Sequence, residues 1–132
     1  MVDKKTILIL GGDGYLGWSL SLAFAARTNN HIVIVDNFSK RKWEKKVHAQ
    51  SLVKINSIKQ RIKDYARISK KNNLAFINVD LKNYKKVLAL IKKYHPATII
   101  NAAQQPSAPF SMISPECAME TIEDNTNFLQ II

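Results

Sequence analysis

Short apolar runs alternate with amphipathic stretches along this chain, and glycine, asparagine or aspartate closes most of the runs. Thr6–Leu10 is a continuous apolar segment followed by glycines, which predicts a strand buried on both faces. Residues 18–28 follow as a predicted helix, with Leu16, Leu20, Ala23 and Phe24 at helical spacing and Asn29-Asn30 as the exit. Residues 31–35 predict a second buried strand ending at Asp36-Asn37. A third covers 74–79 and ends at Asp80, and a fourth covers 97–103. Between them, residues 83–94 place Val87, Leu90 and Ile91 on one helical face, and Pro96 stops that helix. Residues 104–114, rich in Pro and Ser, predict a loop, with a last helix starting at Pro115 or Glu116 and Ser114 as its cap.

Strands alternating with helices predict an α/β fold: a doubly wound parallel sheet with right-handed crossovers. In the dinucleotide-binding, Rossmann-like form the first four strands take the order 3-2-1-4, and two more normally follow. Here the chain stops in the apolar stretch 128–132. The expectation is one incomplete domain over residues 1–132, whose fourth strand is an exposed edge favouring a homodimer or other self-association. Residues 38–73 predict a helical insertion after strand two. Leu52, Ile55, Ile58, Ile62, Tyr65 and Ile68 form its apolar stripe, which needs a partner surface.

The length of 132 residues suits one domain. With 46% hydrophobic and 23% charged residues, the chain has the composition of a globular domain rather than a disordered one. No apolar run approaches the roughly 18–20 residues of a membrane helix, so a cytoplasmic protein is expected. A lone cysteine, Cys117, excludes a disulfide framework and predicts a buried or partly buried thiol. His31, His48 and His95 lack ligand spacing, so no metal site is expected.

A formal net charge of +10 suggests nucleic acid until it is located. All of it falls within residues 38–73, which hold twelve Lys/Arg against Glu44 and Asp64, while the rest of the chain is neutral. Aromatic residues interleaved with the basic ones are sparse, only Trp43 and Tyr65, so a solvated basic face is the better reading and nucleic acid the lesser one.

The four glycines all lie at positions 11, 12, 14 and 17. They follow a strand, open a helix, and precede by nineteen residues an acid, Asp36, at the end of the next strand. That context is the dinucleotide-binding fingerprint: the turn lets backbone N–H groups approach a pyrophosphate at the positive end of a helix. Asp36 is the expected acceptor for the adenosine ribose hydroxyls, which favours NAD over NADP because a 2′-phosphate would meet its carboxylate. Lys40 and Arg41 are the residues that could serve such a phosphate instead. Asp80 either reaches the adenine edge or caps the following helix.

The stretch Gly11-Gly-Asp-Gly-Tyr-Leu-Gly-Trp18, with Val35-Asp-Asn37, Ser57-Ile58, Arg61-Ile62 and Ser107-Ala-Pro-Phe-Ser-Met-Ile113, resembles the UDP-sulfoquinovose synthase family of extended short-chain dehydrogenase/reductases. The resemblance implies a tightly held NAD that oxidises the glucose of UDP-glucose at its fourth carbon. Water is then lost, sulfite adds at the sixth carbon, and the hydride returns. It places Gly11, Gly14, Tyr15, Leu16 and Gly17 on the pyrophosphate, Asp36, Asn37 and Arg41 on adenosine, and Asp80 and Leu81 beside adenine. Ala102, Ala103 and Gln104 would line the nicotinamide side, and Ser107, Phe110 and Met112 would border the sugar. Asn101, Pro106, Phe110 and Phe128 depart from that family's residues. The superfamily oxidises its sugar with a Tyr base whose pKa is lowered by a Lys four residues on. Tyr15, Tyr65, Tyr84 and Tyr94 are followed at that spacing by Ser19, Ser69, Leu88 and Thr98, so no catalytic residue is assigned and the chain alone is expected to be inactive. Two other readings are a different nucleotide-sugar epimerase or dehydratase, and a non-catalytic NAD- or nucleic-acid-binding module.

Overall fold

The computed structural model describes residues 4–126; the expectations placed on Phe128 and on 128–132 lie outside them. In chain order the elements are β1 Thr6–Leu10, α1 Tyr15–Arg27, β2 His31–Asp36, α2 Ser39–Lys46, α3 Ile58–Ser69, β3 Leu74–Asn78, α4 Tyr84–Tyr94, β4 Thr98–Asn101, α5 Ala108–Ser111 and α6 Pro115–Thr126. The four strands are parallel and ordered β3-β2-β1-β4, as the alternation of strands and helices predicts.

Strand alternation builds two cores from one sheet. Ile7 and Ile9 of β1 pair in register with Ile32 and Ile34 of β2 and face Ala25 of α1 and Ile58 of α3. Leu8, Leu10, Val33 and Val35 face the other way, onto Val87 and Leu90 of α4. Each such side chain contributes about 1.5–3 kcal/mol when fully buried. Exposed ion pairs contribute at most about 1 kcal/mol, so apolar burial holds the sheet.

Residues 38–73 carry the expected apolar stripe over only part of their length. They form two helices, α2 and α3, separated by a non-helical stretch. Leu52 and Ile55 lie in that stretch and are exposed, as is Ile68 at the far end of α3. The helix starts at Ile58 because the Ser57 hydroxyl accepts the Gln60 backbone N–H at 3.2 Å. Ile58, Ile62 and Tyr65 then supply the stripe, and its partner surface is the β1–β2 core. Thus α3 is the crossover between β2 and β3, with Lys59, Lys63 and Arg67 exposed on its outer side. Its exit is tied to α1: Lys71 Nζ reaches the carbonyls of Ala25, Ala26 and Thr28 at 3.3, 2.7 and 3.3 Å.

Two smaller differences concern ends. Helix α1 begins at Tyr15, three residues before the predicted start, with Gly14 as its N-cap. The 104–114 loop contains a short helix, α5, because the Ser107 hydroxyl accepts the Phe110 N–H at 3.3 Å and Pro109 stands in the first turn, where it needs no partner. Ser114 caps α6 as expected, accepting from Cys117 N at 3.3 Å, and the Cys117 thiol is buried. Among the described residues no helix is long and apolar enough to cross a membrane.

Candidate functional site

A cavity of about 770 Å³ opens beyond the carboxyl ends of the strands, at the point between β1 and β4 where the strand order reverses. This is the crevice in which open α/β sheets bind ligands, and its size falls within the roughly 300–1,000 Å³ of ligand pockets.

The floor is the glycine turn. Gly11 and Gly12 N–H groups both donate to the Val35 carbonyl, at 2.8 and 3.3 Å, which pins the turn to the end of β2. Gly11 has a φ of 78°, in the left-handed region, so a side chain there is strained. Gly17 is required for close approach: a Cβ would lie 2.2 Å from the Gly11 carbonyl oxygen. Gly14 differs, because a Cβ there meets only that oxygen, at 3.4 Å, and otherwise points into open space. Tyr15 and Leu16, in the first turn of α1, are exposed and border the cavity.

Asp36 closes β2 at the cavity wall. One carboxylate oxygen accepts the Asp13 N–H at 2.9 Å and the other the Phe38 N–H at 2.7 Å. Burial pushes this carboxyl above its ordinary range, partly offset by those two N–H groups. Each oxygen keeps a lone pair for a further donor. Asn37 lines the cavity, and its side chain accepts from Ser39 N at 2.9 Å.

Asp80 and Leu81 border the cavity beyond β3. The Asp80 carboxylate accepts from Lys82 N at 2.9 Å, whereas the cap of α4 is Asn83, which accepts from Lys86 N at 3.1 Å. Ala102, Ala103 and Gln104 line the side beyond β4, with Ser107 and Phe110 next to them. Arg41 and Met112 are not in the lining. Arg41 is turned onto Asp13, and Met112 is 82% exposed.

Helix α2 roofs the cavity with Lys40 and Trp43, and its C-cap residue Val47 extends the roof. Trp43 donates from Nε1 to Glu120 at 2.8 Å and its ring lies 5.6 Å from that of Phe110, so basic α2 is joined to acidic α6 across the opening. Lys46 Nζ stands 3.2 Å from the Cys117 sulfur.

Four contributors are not legible in the sequence. Asp13 sits inside the glycine turn and takes both Arg41 and Arg61. Its hydrogen bond to Arg41 pushes that guanidinium pKa up, while burial pushes that of Arg61 down. Asn125 clamps the β4 loop, accepting from Gln105 N at 2.9 Å and donating to Gln105 O at 3.3 Å. Asp124 lines the cavity, where burial raises its carboxyl and Lys82, 3.5 Å away, opposes the rise. Trp43, noted in the sequence only as a sparse aromatic, is part of the roof. Among the described residues no group of three His, Cys, Asp or Glu could hold a metal ion.

Residues 7–132 match the model of the NAD dependent epimerase/dehydratase family. The chain is 33% identical over 122 residues to the UDP-sulfoquinovose synthase of Sulfolobus acidocaldarius, covering 90% of this chain and 30% of that protein. It is 30% identical over 122 residues to the chloroplastic UDP-sulfoquinovose synthase of Spinacia oleracea, covering 92% of this chain and 25% of that one. Among solved structures, the UDP-Glc/GlcNAc 4-epimerase of Campylobacter jejuni superposes with a TM-score of 0.70 at 26% identity, over 96% of this chain and 32% of that one. The chain therefore spans between a quarter and a third of the length of these proteins. Taken with the pinned glycine turn and the 3-2-1-4 sheet, a match over nearly the whole sequence places this chain in the NAD-dependent epimerase/dehydratase family.

Proposed function

We propose that the chain is the NAD-binding portion of a cytoplasmic nucleotide-sugar-modifying enzyme, with the UDP-sulfoquinovose synthase reaction, UDP-glucose plus sulfite, as the specific activity of the full-length form. One observation carries the reading. The only glycine of the turn whose missing Cβ would point into open space, Gly14, adjoins a cavity walled by a carboxylate at the end of the neighbouring strand. A turn shaped only for packing needs no such opening.

The residues present fit a dinucleotide. Gly11, Gly14, Tyr15, Leu16 and Gly17 surround the pyrophosphate position at the positive end of α1. Asp36 offers two free lone pairs to ribose hydroxyls, with Asn37 beside it, and Arg41 acts on the adenosine side through its pairing with Asp13. Asp80 and Leu81 flank adenine, while Ala102, Ala103 and Gln104 shape the nicotinamide end. Ser107 and Phe110, with Met112 farther out, border the sugar. When bound, NAD supplies reversible hydride acceptance from a sugar carbon. This chain holds and orients; no Tyr-Lys pair at the required spacing lies within it, so proton transfer is not assigned to its residues. Strand β4, at the edge of the described sheet with Ile99 part-exposed, is the surface for self-association.

Calorimetric titration with NAD tests the core of this reading. Saturable binding is expected, weakened about tenfold or more in Asp36→Ala through loss of charged acceptors worth about 1.5–3 kcal/mol. A folded sample that gives no heat overturns it. In the full-length form, product formation from UDP-glucose should require sulfite; turnover of a UDP-sugar without sulfite assigns an epimerase or dehydratase activity instead.

A further inference from the structure

We propose that Asp13 sets the dinucleotide preference of this site by engaging two guanidinium groups beside the adenosine-ribose position. The inference rests on the nucleotide-site reading above and specifies which dinucleotide that site takes.

Asp13 joins two structures that the sequence leaves separate. Its backbone N–H donates to the Asp36 carboxylate at 2.9 Å. Its own side chain, 6% exposed, accepts Arg41 Nε at 2.5 Å and Nη2 at 3.0 Å, and also Arg61 Nη2. The acid that faces the ribose and the acid that occupies the arginines are thus one hydrogen bond apart. Two carboxylates and two guanidiniums balance to zero.

That balance discriminates between the two dinucleotides. NAD presents hydroxyls to Asp36. A 2′-phosphate presents about −1.5 to −2 charges to the same carboxylate, and Arg41, the guanidinium that could accommodate it, is already paired with Asp13, while Lys40 lines the cavity. Removing the Asp13 charge leaves the cluster at a net of one positive charge. Arg41, with 36% of its side chain exposed, is then able to turn toward the ribose. Arg61 is held over the Trp18 ring at 4.4 Å, and its buried Nε has no acceptor among the described residues.

A purely structural clamp would weaken both dinucleotides together, so the readout is their ratio. Dissociation constants for NAD and NADP are measured on the full chain. Wild type should prefer NAD. In Asp13→Asn, which keeps the size and one acceptor, the preference should move toward NADP by about tenfold or more. In Arg41→Gln, which leaves the cluster negative, it should move further toward NAD. Because Arg41 is partly exposed, that second variant decides the matter if Asp13→Asn does not fold. Ratios within about twofold of wild type in the folded variants overturn the inference, as does a wild type that prefers NADP. A wild type that binds neither dinucleotide overturns the site reading itself, and this inference with it.

Discussion

Replacing Gly17 by alanine separates the packing role of the glycine turn from its binding role. The added Cβ would lie 2.2 Å from the Gly11 carbonyl oxygen and 2.8 Å from both the Gly11 carbonyl carbon and the Gly12 Cα. A carbon and a carbonyl oxygen ordinarily approach to about 3.3–3.6 Å, so the first turn of α1 must retreat by roughly 1 Å. All three obstacles are backbone atoms, and the turn cannot swing aside because Gly11 and Gly12 N–H groups are bonded to Val35. Retreat also loosens Trp18 and Leu20 from the β1–β2 core. Overpacking of this kind costs about 1–3 kcal/mol, and the absence of a soft neighbour argues for the upper end. Alanine returns about 1 kcal/mol as the better helix former, leaving a net loss of about 2 kcal/mol. At about 4 °C per kcal/mol for a domain of this size, the melting temperature should fall by about 8 °C. Gly14→Ala is the matched control: φ at Gly14 is −71° and the nearest atom is 3.4 Å away. Its melting point should change by no more than about 4 °C, equivalent to about 1 kcal/mol, while NAD affinity falls because the methyl group occupies the pyrophosphate approach. Thermal melts followed by circular dichroism, paired with NAD titration, read both effects. A Gly17→Ala protein that melts with the wild type, or a Gly14→Ala protein that binds NAD normally, would refute the reasoning.

Three other outcomes follow from particular contacts. Lys71→Met removes a cation from three carbonyls at the end of α1 and should cost about 1–2 kcal/mol in a urea unfolding midpoint. Lys70 caps α3 with a φ of 58°, so Lys70→Gly should raise stability by about 1 kcal/mol in the same assay. Burial raises the Asp36 carboxyl in the folded chain, so its contribution to stability is full in acid and is lost as pH rises through its folded pKa. Wild-type stability relative to Asp36→Asn should therefore decline from the acid range, where aspartate ordinarily titrates, toward neutrality. NAD affinity should move the opposite way, weakening in acid as the ribose acceptor takes up its proton.

The sheet is legible in the sequence because each strand is an apolar run closed by a residue suited to a turn: Gly11 after β1, Asp36-Asn37 after β2 and Asp80 after β3. The glycine turn is legible because it falls between a strand and a helix. Residues 38–73 mislead because Leu52 and Ile55 happen to lie in phase with Ile58, Ile62 and Tyr65. The chain leaves helical geometry after Lys46, and α3 starts only at Ile58, behind the Ser57 cap. Helix α5 is hidden because Pro106 and Pro109 signal a loop, whereas Pro109 is tolerated in a first turn. Asp13 resembles a spacer between glycines, and its partners stand 28 and 48 residues away, beyond any local pattern. The roof is less legible still: Trp43 and Glu120 are 77 residues apart.

The measurement that bears most directly on the site is an NMR titration of isotopically labelled chain with NAD, following each backbone amide. The account predicts saturable shifts concentrated at residues 11–17 and 36–38, the turn and the strand end that border the cavity. An unchanged spectrum from a folded sample, or shifts confined to the exposed basic side of α3 around Lys59, Lys63 and Arg67, would contradict it.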